Sequence, residues 1–216
     1  MARRPKEEDI AQYFDANIDC CAPRRDATKR PGVKLARLLE KELREVGLQG
    51  RTVLELGCGR GELAKELLGA GAARVTGMDL SADNIAAAEQ MTSEDGLGDR
   101  MEFHVGNAAT ADLAPSDVVV HHRVICCYPD PKALLDNSIA AAGSVYGLSM
   151  PRSRGIMGPF VRAALLFENL LHRIKGRGFR AYVHDERLVD AALRSAGFRL
   201  QGRSNRMGWF AAVYVR

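Results

Sequence analysis

Glu55, Gly57, Gly59, Gly61 and Asp79 are the residues of this 216-residue chain whose types and spacing most directly imply chemistry. They sit on Val53-Leu54-Glu55-Leu56-Gly57-Cys58-Gly59-Arg60-Gly61-Glu62-Leu63, an apolar, β-prone run that ends in alternate glycines and passes into a helix-like segment. That is the strand–loop–helix opening of an open α/β sheet, where ligands bind beyond the carboxyl ends of the strands. Glycine permits positive φ and, lacking Cβ, lets a ligand lie against bare backbone. A dinucleotide loop would read G-x-G-x-x-G and set a helix N-terminus against a pyrophosphate. Here an acid, Glu55, stands two residues before the first glycine. An anion there suits a ligand carrying positive charge and argues against a diphosphate. A second β-prone run, Arg74 to Leu80, carries Asp79 about 20 residues on, where a carboxylate can take ribose hydroxyls.

A cationic ligand with a ribose points to S-adenosylmethionine, with S-adenosylhomocysteine as product. These residues resemble the class I S-adenosylmethionine-dependent methyltransferases. The resemblance makes Glu55 through Gly61, Cys58 included, the first cofactor motif, and Asp79 with Leu80 the second. It also implies that Asn107 and Ala108 sit at the adenine, Asn107 accepting through its amide oxygen, and that His121 faces the cofactor through its backbone. In Tyr13-Phe14-Asp15 it places Tyr13 in a segment that closes the cofactor mouth. Ordinary core packing is the other reading of Tyr13, and a turn-forming role that of Asn107.

The residues after the fourth β-prone run (Asp117 to Val120) are His121-His122-Arg123-Val124-Ile125-Cys126-Cys127-Tyr128-Pro129, expected to line the space between cofactor and acceptor. Methyl transfer from a sulfonium needs in-line positioning, which contributes on the order of 7–11 kcal/mol, and no metal. A carboxylate acceptor needs only an anchoring cation. A phenol, amine or thiol gains from a base, and His122 is the best-placed imidazole. Tyr128 orients the acceptor or covers the sulfonium by a cation–π contact worth about 0.5–2 kcal/mol. Structural roles compete for each of these residues, and Cys126 and Cys127 read more simply as buried apolar thiols. The segment Val124 to Pro129 is loosely similar to the magnesium-protoporphyrin O-methyltransferases, in which a histidine precedes the Tyr-Pro pair where this chain has Cys127.

The elements that must position these groups are those of one α/β domain over residues 1–216. The expected fold is a seven-stranded Rossmann-like sheet, mostly parallel, with a C-terminal antiparallel hairpin and helices on both faces. Helices over 1–49 form a lid. The expected sheet helices are Glu62 to Leu68, Ala82 to Met91 behind an N-capping Ser81, Pro131 to Ala141, and Asp185 to Ala196 with Leu188, Val189, Ala192 and Leu193 inward. Residues 151–180 form a substrate cap in which Phe160, Ala164, Leu165, Phe167, Leu170, Leu171 and Ile174 crowd one side, flanked by arginines. A solvated basic face over a core helix is the competing reading. Phe198 to Gly202 and Trp209 to Val215 make the last hairpin, turning through Arg203–Gly208.

Five cysteines lack a C-x-x-C metal pattern, so no metal is expected. No run approaches the roughly 18 apolar residues of a membrane span, and the N-terminus has no apolar signal, so a cytoplasmic protein with no membrane partner is expected. A formal charge of +4 with scattered arginines is no focused nucleic-acid stripe. The expected partner is therefore a small-molecule methyl acceptor, O-methylated on an aromatic or carboxylate-bearing skeleton. A nucleic-acid methyltransferase and a non-catalytic binding protein of the same fold are the alternatives.

Overall fold

The computed structural model describes residues 7–16 and 31–216; Cys20, Cys21 and the expected loop from Cys20 onward lie outside them. Helices α1 (Glu7–Asp15) and α2 (Pro31–Val46) precede a β/α series. This runs β1 (Thr52–Leu56), α3 (Glu62–Gly69), β2 (Arg74–Asp79), α4 (Ala82–Glu94), β3 (Met101–Val105), β4 (Ser116–His122), α5 (Lys132–Ala141) and β5 (Ala142–Pro151). Then come α6 (Met157–Ile174), α7 (Glu186–Ser195), β6 (Arg199–Arg206) and β7 (Trp209–Val215). The seven strands form one sheet in the order β3-β2-β1-β4-β5-β7-β6. Pairing is parallel through β5, while β7 runs antiparallel to both β5 and β6. The strand order reverses between β1 and β4, which is where an open α/β sheet leaves its ligand crevice.

Both faces of the sheet are covered, as continuous apolar strands require. On one side Val53, Val118 and Val120 pack with Leu39 and Leu43 of α2, Leu63 and Leu67 of α3, and Ile85 of α4. On the other, Leu54, Leu56, Val119 and Leu148 pack with Leu134 of α5 and Leu193 of α7. Ser81 caps α4 by accepting from Asn84 N, and Asp185 caps α7 by accepting from Arg187 N.

Several boundaries differ from the sequence expectation. β4 pairs with β5 as far as His122↔Ser149, so His121 and His122 are the last two ladder positions, not residues beyond the strand. β6 extends to Arg206, which shortens the hairpin turn to Met207 and Gly208. Leu188 is 66% exposed, because the buried stripe of α7 runs through Val189 and Leu193, one residue round the helix. The apolar stripe on α6 is present, but Phe160, Phe167, Leu170, Leu171 and Ile174 face outward. It is Gly158, Val161 and His172 that are buried.

Candidate functional site

β1 delivers its chain to α3 through three glycines with φ of 71°, 54° and 76° at Gly57, Gly59 and Gly61, a region L side chains rarely enter. The loop is pinned from behind: Gly57 N and Cys58 N both donate to Met78 O, at 2.7 and 3.1 Å. The three glycines then separate by role. A Cβ at Gly57 would collide with Val124 Cγ2, and one at Gly61 would lie 2.7 Å from Phe103 Cζ. One at Gly59 would meet nothing within 4 Å. The outer two let the protein's own chain close up, and only the central one bares backbone to open space. The sequence alone assigns all three to the ligand.

Asp79 is turned toward this loop. Its Oδ2 accepts from Gly59 N at 2.8 Å and its Oδ1 from Ser81 N at 2.9 Å. Burial still pushes its carboxyl above the usual range, against those two bonds. Glu55 lies deeper, 1% exposed, with Oε2 lacking any partner. Its carboxyl is held well above the ordinary value, first by desolvation and then by the Asp79 charge. The anion expected from the sequence is thus disfavoured in the protein alone. A cation placed alongside would restore it, since opposite charge favours the ionised form. An orphaned buried carboxylate oxygen, an open backbone face at Gly59 and a second buried acid together fit a ligand that brings positive charge and hydroxyl groups.

Helix α1 lies over this end of the sheet and is tied to the second and third strands. Ser81 Oγ donates to Asp15 Oδ1 at 2.5 Å, and Asn107 Nδ2 donates to Glu7 Oε2 at 2.8 Å. Tyr128 Oη donates to Asn107 Oδ1 at 3.1 Å, so two residues singled out in the sequence meet each other. Asn107 Oδ1 also accepts from Ala109 N at 2.9 Å. The amide expected to read adenine is therefore engaged on both of its atoms within the protein. Ala108 is buried, and its carbonyl accepts from Asn137 Nδ2. Leu80 packs against a cluster of Ile10, Cys126, Cys127 and Phe179. Tyr13 stacks on Phe179, centroids 4.4 Å apart, and meets Phe14 and His172 edge-on at 5.3 and 5.2 Å. Its ring packs in this aromatic group rather than at the glycine loop.

The end of β4 supplies two very different histidines. His121 is fully buried beside Tyr146, with neither ring nitrogen partnered, and desolvation lowers its pKa to about 3. His122 shares a 2.9 Å hydrogen bond between Nδ1 and Ser149 Oγ and a second with the Gly32 backbone. Burial lowers it to about 3 as well, with Arg123 adding to the effect. Arg123 follows at φ 62°, a left-handed conformation for a non-glycine residue, with its guanidinium 5.3 Å above the Trp209 ring. Tyr128 is held above its ordinary value by burial. The buried, free Cys126 and Cys127 thiols each lie 3.5 Å from Arg123 O and share a hydrogen bond, which draws Cys126 down and pushes Cys127 up. Among the described residues no group of His, Cys, Asp and Glu has a metal-holding arrangement.

Sequence reasoning missed His184, whose Nε2 lies 2.9 Å from Tyr128 O and so braces the turn that carries Tyr128. It sits in irregular chain 56 residues away, and no local pattern marks it.

A family model described as a methyltransferase domain matches residues 53–141, from β1 to the end of α5. The ubiquinone biosynthesis O-methyltransferase of Psychrobacter cryohalolentis is 34% identical over 110 residues, 49% of this chain and 42% of that protein. The ribosomal protein L11 methyltransferase of Pectobacterium carotovorum is 34% identical over 102 residues, 47% of this chain and 34% of that one. The chain thus spans less than half the length of these curated relatives. The magnesium protoporphyrin IX methyltransferase of Synechocystis PCC 6803, solved with bound SAH, superposes with a TM-score of 0.73, covering 98% of this chain and 100% of that one at 21% identity. Residues 53–141 thus match a methyltransferase domain, and the seven-stranded sheet as a whole has the Rossmann-like methyltransferase fold.

Proposed function

We propose that this protein transfers the methyl group of S-adenosylmethionine to a small molecule bearing a carboxylate on an aromatic or otherwise flat apolar skeleton, forming a methyl ester. The cofactor supplies an electrophilic methyl on an already cationic leaving group. Glu55, Asp79, Leu80, the bare backbone at Gly59 and the 107–108 turn hold it, with Gly57, Gly61 and Cys58 shaping the loop behind. Relatives named for ubiquinone biosynthesis and for a ribosomal protein match about half of this chain, so the acceptor has to be argued from this chain's own residues.

The observation that carries the acceptor class is the state of the imidazoles at the end of β4. His122 is engaged at Ser149 and Gly32, His121 faces the core, and burial brings both to about 3. At neutral pH both are neutral, and both are weak bases. An acceptor that arrives already ionised needs no proton removed. For it, His122 and Tyr128 act as positioning groups that keep nucleophile and methyl in line. Arg123 and Arg177 offer exposed cations to anchor a carboxylate, while the Tyr13, Phe14 and Phe179 rings offer an apolar wall.

Two measurements test this. S-adenosylhomocysteine at about a hundredfold excess over its Kd should stabilise the fold by about 2.7 kcal/mol, and NAD should not. Label transferred from S-[methyl-³H]adenosylmethionine to a panel of aromatic acids and tetrapyrrole carboxylates should be released as methanol by mild alkali. Alkali-stable label, found on matched phenols or amines, overturns the carboxylate reading and leaves the cofactor reading standing.

A further inference from the structure

We infer that the exposed apolar face of α6 is a docking surface for a membrane leaflet rich in anionic lipid. At 3.6 residues per turn Ile156, Phe160, Phe167, Leu170, Leu171 and Ile174 fall within an arc of about 100°. All six are between 38% and 86% exposed. Val161 and His172, which anchor α6 to the protein, lie on the opposite side of the helix and are buried. The helix is therefore apolar on two faces and packed on only one. A water-facing helix normally carries polar residues where this stripe stands.

The charges select what covers it. Arg162 and Arg173 run along one flank of the stripe, Arg154 precedes it, and Lys175 and Arg177 follow it. Among the described residues Arg154, Arg162, Arg173 and Lys175 have no ion-pair partner. Glu168, on the other flank, is the one acid of α6, and it lies 3.6 Å from the His172 ring. A second copy seated on this face by a two-fold axis would bring these cations against their own images. Nucleic acid would meet the cations but leave the apolar stripe in water. An anionic bilayer surface takes both, the side chains entering the acyl boundary while the arginines meet headgroup phosphates.

α6 lies along such a surface rather than across it. Arg162, Glu168 and Arg173 interrupt the helix, and no described helix is long and apolar enough to cross a membrane. A second element abuts α6. The two-residue turn after β6 holds Met207 at φ 48° and 80% exposed, next to Arg206. Gly208 O accepts from Arg152 N at 2.8 Å, and a Cβ on Gly208 would lie 2.7 Å from Val161 Cγ2, so the turn braces α6 from its packed side and leaves the stripe uncovered. The surface is also coupled to the candidate site. Asn169 of α6 exchanges two hydrogen bonds with Ala181, and Tyr182 N donates to Cys126 O at 2.8 Å. Docking there would hold the turn after β4 near the lipid boundary. The docking itself stands independently of which acceptor is methylated.

The test is sedimentation of the full chain with vesicles at low salt. Binding to vesicles of equal parts phosphatidylglycerol and phosphatidylcholine is expected, with little to phosphatidylcholine alone and release at high salt. Phe167→Asp should lose the binding while leaving the melting temperature unchanged, because the side chain is exposed. Arg173→Gln should weaken partitioning about fivefold, one cation's worth at an anionic surface. Equal binding to both vesicles, or to neither, overturns the proposal. So does a dimer in analytical ultracentrifugation that Phe167→Asp dissociates in the absence of vesicle binding.

Discussion

At the scale of single residues the site is built on two carboxyls, Glu55 and Asp79, whose pKa values burial raises. Glu55 contributes no stability as an anion: it is desolvated, lies near Asp79, and leaves one oxygen without a donor. Replacing such a group by its neutral isostere removes a desolvation penalty, and buried charges in general tolerate this better than loss of a partner. Glu55→Gln is therefore expected to raise the melting temperature of the cofactor-free protein by about 2–4 °C, as a gain of about 1 kcal/mol does in a chain of this size. The same change should weaken S-adenosylmethionine binding about tenfold, since the sulfonium's positive charge loses its counter-ion. Calorimetric scanning with titration checks both signs. Asp79→Ala behaves differently, because Asp79 also holds Gly59 N and Ser81 N. Loss of affinity with a modest fall in stability is expected, and unchanged binding by calorimetry would remove Asp79 from the cofactor site.

At the scale of elements the joint between α1 and the sheet is the informative one. Ser81 serves two elements with one hydroxyl, accepting from Asn84 N to cap α4 and donating to Asp15 of α1. Ser81→Ala removes both, and an N-cap alone contributes about 1 kcal/mol. A melting temperature lower by roughly 2–4 °C is expected, together with faster amide exchange across α1. Unchanged exchange in α1 would show that its seat depends on the aromatic contacts of Tyr13 and Phe14 and not on this tie. The elements also mark how far the chain could be read from its residues. The parallel strands, the glycine loop, both capped helices and the final hairpin were legible because each carries a local pattern: continuous apolar runs, a punctuating glycine, a Ser or Asp at the cap. α6 was legible as a helix but not in its orientation. With apolar residues on two opposite faces, periodicity cannot decide which face is packed. The end of β4 failed for a related reason. Two histidines look like the start of a loop, yet β5 continues beside them and the ladder carries on to Ser149. His184 and the pairing of Asn107 with Tyr128 depend on distant segments meeting, which no local pattern encodes.

At the scale of the whole molecule those same histidines set the response to acid. A ring held at about 3 in the folded state and near 6.5 when unfolded binds its proton only in the unfolded chain over the interval between those values. Its stabilising effect is complete above pH 6.5 and is lost as the pH falls through that interval, at about 1.4 kcal/mol per unit. For His121, buried and unpartnered, the fall from pH 7 to pH 5 costs about 2 kcal/mol, a sizeable part of the roughly 5–15 kcal/mol that holds a typical domain together. His122 acts in the same direction, discounted for its partial exposure. Glu55 and Asp79 oppose them, since carboxyls raised by folding take up their proton in the native state first. The net slope of the wild-type protein is thus a compromise, and a single-site comparison isolates the imidazole. His121→Phe keeps an apolar ring of similar size beside Tyr146 and leaves both acids in place. Urea unfolding at pH 7 and pH 5 should therefore show a loss of stability about 2 kcal/mol smaller in the variant than in the wild type. An identical loss in both would mean that His121 takes up its proton within the folded core, through a partner or an opening that the packing around Leu56, Tyr146 and Leu148 does not provide.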